Sequence, residues 1–351
     1  VALELTPKRI LIVRFSSLGD ILLTTPLVRA LKQRFPGCQL DYLTGSRYQE
    51  LLTANPHIDG IISLHSGTGI AETRKTAARL ADRNYDVLID VHGSVRSLLF
   101  RWGSRIPVVL TFKKLRFQRS VLILLKRSIY PDDRSMALRM LDTAASLGIR
   151  DDGGGLDFFV NEDVKQEALR LIAAERPPGQ GGLIGLAPGA RHNTKRWLID
   201  RWRQLAKMLV EKHDATIVVL GGDNDRGIGN QVSDGLGIRA RNCAGQLTLA
   251  GSAAVLSHCR AVITNDTGVL HMAAARQVPV VAIFGPTVRA FGFYPFRVPY
   301  RIVERSLYCR PCTTKGSPRC PLGHFRCMKE IASANVLSAF EDLMSSLPKS
   351  E

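Results

Sequence analysis

Within Val262–Ala275 (VITNDTGVLHMAAA) an apolar run turns polar at Thr264, Asn265, Asp266, Thr267 and Gly268, then becomes helical in pattern through Leu270, His271 and Met272. The first N–H groups of a helix lack partners inside it and sit at the positive end of its dipole. A strand that ends in such a turn therefore makes an anion site. Gly268 lacks the Cβ that would hold a ligand off the backbone. A carboxylate repels phosphate, so Asp266 suits sugar hydroxyls. A ligand bearing both groups, such as a nucleotide sugar, would use the whole stretch. The plainer reading of the same residues is an Asp or Thr capping an ordinary helix.

Three further loops have a similar build. The strand pattern at Arg9–Arg14 runs into Phe15-Ser16-Ser17-Leu18-Gly19-Asp20. That places Asp20 at the start of a helix, where a carboxylate could be a general base or could simply suit the helix dipole. The spacing is not G-x-G-x-x-G, so the dinucleotide fingerprint is missing. Pro188–Trp197 (PGARHNTKRW) offers Lys195 as a point charge for a diphosphate and Thr194 as a hydroxyl donor. A solvated basic loop is the alternative. Trp197 argues against it, because an indole packs inward and fixes such a loop. Leu220–Asp225 (LGGDND) sets a Gly pair beside Asp223 and Asp225. Either acid could accept from ribose hydroxyls or cap the next helix. Gly285-Pro286-Thr287 reads as a tight turn that could complete a cleft wall.

Cys309, Cys312, Cys320 and Cys327 follow the pattern CxxC-x7-C-x6-C. Four thiolates in one loop could close a structural zinc site, with His324 as a rival ligand; reduced thiols or one labile disulfide fit as well. An odd total of seven cysteines argues against a disulfide framework. Lys113–Tyr130 mixes Lys113, Lys114, Arg116, Arg119, Lys126 and Arg127 with Leu115, Phe117 and Val121–Leu125. Such a stretch suits an anionic membrane surface or an amphiphilic phosphorylated substrate, or else a core helix with snorkelling ends.

These loops must be positioned by alternating strands and helices. Strand patterns at 9–14, 39–43, 60–64, 86–90 and 107–110 alternate with helical ones at 21–35, 48–53, 71–83 and 136–147. Asp151–Gly155 and Arg176–Gly182, rich in Gly, Pro and charge, are the best breaks. A second series follows, with strands at 183–187, 216–220, 261–263 and 280–284 and helices at 201–212, 252–257 and 271–275. The expected class is α/β: two Rossmann-like domains, 1–155 and 156–351, turning their strand-end loops to a central cleft. A final helix at 330–347 is free to pack on either half, the N-terminal domain included. The net charge of +17 predicts an anionic partner: nucleic acid, an acidic membrane or a phosphorylated substrate. Nucleic acid is the weakest fit, because the chain lacks an aromatic-basic recognition motif. No apolar run approaches the ~20 residues of a membrane span. No signal-peptide core precedes Arg14, so a cytoplasmic protein is expected.

Taken in this order, RFSSLGD, PG…KRW and NDTGVLH resemble the ADP-heptose:lipopolysaccharide heptosyltransferases, glycosyltransferase family 9. CRPC…CPLGHFRCM resembles a segment of many members. The likeness covers nearly the whole chain. It implies a GT-B fold, with the acceptor on the N-terminal domain and ADP-heptose on the C-terminal one. It implies inverting, metal-independent transfer of heptose to the inner core of a phosphorylated, lipid A-linked acceptor. The enzyme would be peripheral on the cytoplasmic face of the inner membrane. By the same likeness Asp20 is the general base, and Lys195, aided by Thr194, neutralises the departing diphosphate. Asp266 binds sugar hydroxyls, Thr267 and Gly268 present N–H groups to the phosphates, and His271 lies beside them. Asp223 and Asp225 complete the donor set. Ser17, Arg96, Lys113, Lys114 and Arg116 are expected at the acceptor. No cofactor is required for catalysis, and no nucleic acid takes part. Members commonly carry Pro after the KRW element. Here Leu198 stands there, which leaves the path of the following helix open and bears less on the role of Lys195.

Overall fold

The computed structural model describes residues 5–65, 67–173 and 181–348. It forms two compact units, Val1–Leu115 with Arg134–Phe159, and Arg116–Asp133 with Val160–Glu351.

The first unit is built on five parallel strands: β1 (Arg9–Val13), β2 (Gln39–Gly45), β3 (Gly60–Leu64), β4 (Val87–Asp90) and β5 (Val108–Thr111). Their order is β3-β2-β1-β4-β5, so the direction of winding reverses between β1 and β4. Both of those strands are buried almost throughout, which is why each reads as a continuous apolar run. Leu11, Val13, Leu88 and Phe100 form part of the core on one face. The helix expected at 21–35 is two helices, Leu18–Leu22 and Thr25–Arg34. Pro26 falls in the first turn of the second, where its missing N–H costs no helical hydrogen bond.

The second unit carries six parallel strands: β6 (Leu183–Ala187), β7 (Thr216–Val219), β8 (Ala240–Asn242), β9 (Cys259–Asn265), β10 (Val280–Phe284) and β11 (Tyr300–Glu304). Their order, β11-β10-β9-β6-β7-β8, is the doubly wound order of dinucleotide-binding sheets, with its switch point between β6 and β9. Trp197 and Trp202 meet edge to face at 5.2 Å in its core, and the Trp197 indole donates to Ile331 O at 3.0 Å. The Trp197 ring thus pins its loop, as expected. Leu198 takes φ −66°, the value a proline would impose, and the helix Ile199–His213 starts directly after it. The final helix, Ser333–Ser345, buries Val336, Leu337, Phe340 and Leu343 in this same core, so it belongs to the second unit.

Two segments depart from the expected division. Asp151–Gly155 is no loose linker, since Arg29 donates to Asp152 (2.6 Å) and to Gly155 O (3.0 Å) and pairs with Asp157. Asp157 N donates to Thr25 Oγ1 at 2.8 Å, so the first unit runs on to Phe159. Most of the other break, Arg176–Gly182, lies outside the described residues. Segment 116–133 goes with the second unit: Lys126 Nζ donates to Pro311 O (2.8 Å) and Tyr294 Oη to Asp133 O (3.0 Å). Among the described residues no helix is long and apolar enough to cross a membrane.

Candidate functional site

In the first unit the carboxyl ends of β1, β4 and β5 gather a charged cluster. Arg14, almost buried, leaves β1 and donates to Ser16 O (2.8 Å) and to Val91 O beyond β4. It pairs with Asp20 at 2.6 Å. Ser17 donates to the other Asp20 oxygen through its N–H (3.1 Å) and its hydroxyl (2.8 Å). The carboxylate therefore caps its own helix while keeping 22% of its side chain exposed. Burial pushes the Asp20 carboxyl up, but Arg14 and the Ser17 donors outweigh it and hold it below the ordinary aspartate value. It is ionised at neutral pH.

His92, in the loop after β4, completes this cluster and is absent from the sequence reading. Its ring packs edge-on to Phe15 at 4.9 Å. Its own N–H and that of Gly93 donate to Asp90 Oδ1 at 2.9 and 2.8 Å. Burial, with Arg14 and Lys114 nearby, pushes the imidazole down to about 4, so it is neutral at pH 7. Its Nδ1 is buried without a hydrogen-bond partner among the described residues. The available signal was a His-Gly pair directly after an apolar strand.

Of the expected acceptor residues, Ser17 serves Asp20 and Lys114 Nζ donates to Gly93 O at 2.9 Å. Arg96 reaches Thr68 O at 3.3 Å, and Lys113 is exposed. Arg116 opens the helix Arg116–Leu125 of the second unit, so this set is divided between the units.

In the second unit the loops after β6, β9 and β10 converge. Lys195 Nζ meets Asp266 Oδ2 at 2.6 Å and donates to Asp266 O at 3.0 Å. Thr287 donates to the same Oδ2 at 2.6 Å. Oδ1 has no hydrogen bond to the described residues. Asn265 fixes the loops to each other, donating to Pro188 O (2.8 Å) and accepting from Trp197 N (3.3 Å). Thr267 is the N-cap of the helix Gly268–Ala275 and uses no side-chain cap, so the first N–H groups of that helix stay available. His271 is buried on it, its ring 6.3 Å from that of Phe293.

Two of the expected donor residues make contacts within the protein. Thr194 is nearly buried, and its hydroxyl donates to Ser317 O at 2.9 Å, which ties its loop to Ser317. Asp225 accepts from Gly222 N at 3.1 Å and packs against Gly189 and Gly221, where no Cβ would fit. It therefore holds two loops together. Asp223 is exposed at the tip of that turn.

Cys309, Cys312 and Cys320, three of the expected zinc ligands, lie near enough to the fourth, Cys327, to add to the burial that raises its thiol. All seven cysteines are free thiols, and among the described residues no three His, Cys, Asp or Glu side chains come together to hold a metal ion. Cys309 Sγ lies 3.8 Å from His324 Nε2, Cys312 Sγ is turned to Cys309 O at 3.2 Å, and burial pushes the Cys327 thiol up to about 11.

The profile of glycosyltransferase family 9 (heptosyltransferase) matches residues 73–322. The chain belongs to this family. It is 28% identical over 298 residues to lipopolysaccharide heptosyltransferase 2 of Escherichia coli K12, covering 80% of this chain and 83% of the relative. It is 29% identical over 321 residues to lipopolysaccharide heptosyltransferase 1 of Pseudomonas aeruginosa, covering 88% and 86%. The solved structure of the E. coli ADP-heptose heptosyltransferase II matches with a TM-score of 0.74 at 24% identity, over 96% of this chain and 98% of that one. The expected GT-B class, two parallel-sheet α/β units, is thus shown. In this family-9 glycosyltransferase both clusters sit at topological switch points, where doubly wound sheets take ligands.

Proposed function

We propose that the protein moves a heptose from ADP-heptose to the inner core of a phosphorylated, lipid A-linked lipopolysaccharide acceptor, with inversion and without a metal. The observation that carries this reading is the Lys195–Asp266 pair beside a helix N-terminus: a cation for a diphosphate next to a carboxylate with one oxygen open to a sugar hydroxyl. The names of the relatives support the sugar and the acceptor class.

An inverting displacement needs a base for the incoming hydroxyl and charge stabilisation for the leaving group. Asp20, ionised and held by Arg14 and Ser17, takes the hydroxyl proton as the new glycosidic bond forms. The bond from the anomeric carbon to the diphosphate breaks and ADP carries away the electron pair. An ammonium has three donors, and Lys195 commits two of them to Asp266. The third meets the diphosphate, together with the N–H groups of Thr267 and Gly268. Lys195 supplies the positive charge that a metal would otherwise supply, so EDTA should leave the rate unchanged. Asp223 takes ribose hydroxyls. The acceptor lies at an anionic membrane face, which Phe117, Leu124 and Leu125, exposed among Arg116, Lys126 and Arg127, suit.

Replacing Asp20 by Ala should lower transfer by about a thousandfold, the middle of the range for losing a general base. ADP binding, measured by calorimetry, should persist. Near-normal transfer by that variant would remove Asp20 as the base. Thermal shifts against a panel of nucleotide sugars check the donor, and stabilisation by a different nucleotide sugar in preference to ADP-heptose would replace it.

A further inference from the structure

The cysteine-bearing segment 307–327 has no task in the transfer chemistry, yet it grips the donor loops at two places. At the first, the guanidinium of the almost buried Arg310 donates to Thr287 O (2.7 Å), Phe284 O (3.4 Å) and Gly285 O, and pairs with Glu304 at 2.6 Å. Cys312 N adds a hydrogen bond to Pro286 O at 3.0 Å. The exit of β10 is thereby held, and with it Thr287, whose hydroxyl reaches the Asp266 oxygen that Lys195 also meets. At the second, Ser317 N donates to Thr194 Oγ1 (2.8 Å), while Thr194 donates back to Ser317 O through its hydroxyl (2.9 Å) and its N–H (3.2 Å). Gly316, at φ +92°, packs so closely that a Cβ would lie 2.8 Å from His192 Cβ and 3.2 Å from Lys195 Cγ. One segment thus braces both partners of the ion pair, Asp266 through Thr287 and Lys195 through its own loop.

We propose that this segment is a clamp that fixes the Lys195–Asp266 pair in the geometry that receives a nucleoside diphosphate, with Thr287 and Arg310 as positioning residues. The argument is one of preorganisation. A lysine stem has many rotamers, and an ammonium stabilises developing charge only if it is already aimed when the leaving group departs. Lys195 is aimed by Asp266. Asp266 is itself oriented by a hydroxyl that would wander if the end of β10 were free. The cysteine segment removes that freedom, which gives it a role independent of whether its thiols ever meet a metal.

The proposal rests on the donor assignment above, and its test separates the two. ADP alone is titrated calorimetrically into the wild type, Thr287→Val and Thr287→Ser, and steady-state transfer is measured for each. Thr287→Val keeps the shape and loses the hydroxyl, and should bind ADP about tenfold more weakly, one hydrogen bond to a charged group being worth at least this much. It should still bind one ADP per chain, and its kcat should fall at least as far as its affinity. Thr287→Ser restores the donor and should recover both to within about threefold, a residual of under 1 kcal/mol. An unchanged affinity and kcat in Thr287→Val overturns the proposal. Equal damage in Thr287→Ser and Thr287→Val also overturns it, since putting the hydroxyl back would then restore nothing. If the wild type binds ADP but transfers no heptose, the proposed function fails while the ADP arms still judge the clamp.

Discussion

Asp20 meets two demands with one carboxylate. One oxygen is committed to Arg14, the other to the N–H and hydroxyl of Ser17. Each of these donors stabilises the ionised form, so the group stays charged well into acid but is a weaker base than a free aspartate. The acid limb of kcat/KM reports the free enzyme's base. It should therefore lie below the ordinary aspartate value of 3.8. Replacing Ser17 by Ala deletes the hydroxyl donor and leaves the N–H. Because a lost donor favours protonation, the limb should move to higher pH, while the plateau near neutrality changes little. A pH profile in which the limb stays put would show that Ser17 does not tune this group. Arg14, Ser17 and Asp20 lie within seven residues, so chain proximity alone brings them together, although the sequence pointed to no Arg14–Asp20 pair and set Ser17 at the acceptor. His92 was not legible at all, because it joins them only once β4 is paired beside β1, and nothing local encodes that neighbour.

At the scale of elements, strands buried on both faces announce themselves as apolar runs, whereas β8 and β11 do not. They are the two edges of their sheet, only partly buried, and ARN and YRIVE carry arginines that mask the pattern. The helix Arg116–Leu125 shows a different limit. Its composition fitted a core helix or a surface one, and packing decides between them. Leu122 is buried, but Phe117, Leu124 and Leu125 are 70–75% exposed, with exposed Lys126 and Arg127 next in the chain. Nor does local pattern say that 116–133 packs with the second unit, which depends on distant partners such as Pro311 and Tyr294. An apolar row with adjacent cations is suited to dip into an anionic lipid surface. Replacing Leu124 and Leu125 together by Ser should weaken sedimentation with phosphatidylglycerol-containing vesicles about tenfold or more, from the transfer energy of two partly inserted leucines. Transfer to a delipidated, soluble acceptor should be unaffected. Unchanged vesicle binding would assign this helix to some other partner.

For the whole molecule the most legible property is charge, and the least legible is what the charge is for. The chain carries 48 Lys and Arg against 31 Asp and Glu. Each ion pair, such as those at Asp20, Asp152 and Asp266, sets one cation against one acid, so pairing leaves the excess of +17 in place as a long-range field. Such a field speeds encounter with an anionic surface and is shortened by salt: the Debye length falls from about 30 Å at 0.01 M to about 10 Å at 0.1 M. Contacts made inside the donor loops, where Lys195 and Asp266 are nearly buried, are screened far less. Raising salt over this range should therefore slow transfer to vesicle-borne acceptor much more than transfer to a soluble acceptor fragment, with the soluble reaction as the internal reference. Equal slowing of both would place the effect in the site and leave the outward charge unexplained. Salt-sensitive binding to duplex DNA much tighter than to the vesicles would reassign that charge to nucleic acid, the partner class that the residue motifs favour least.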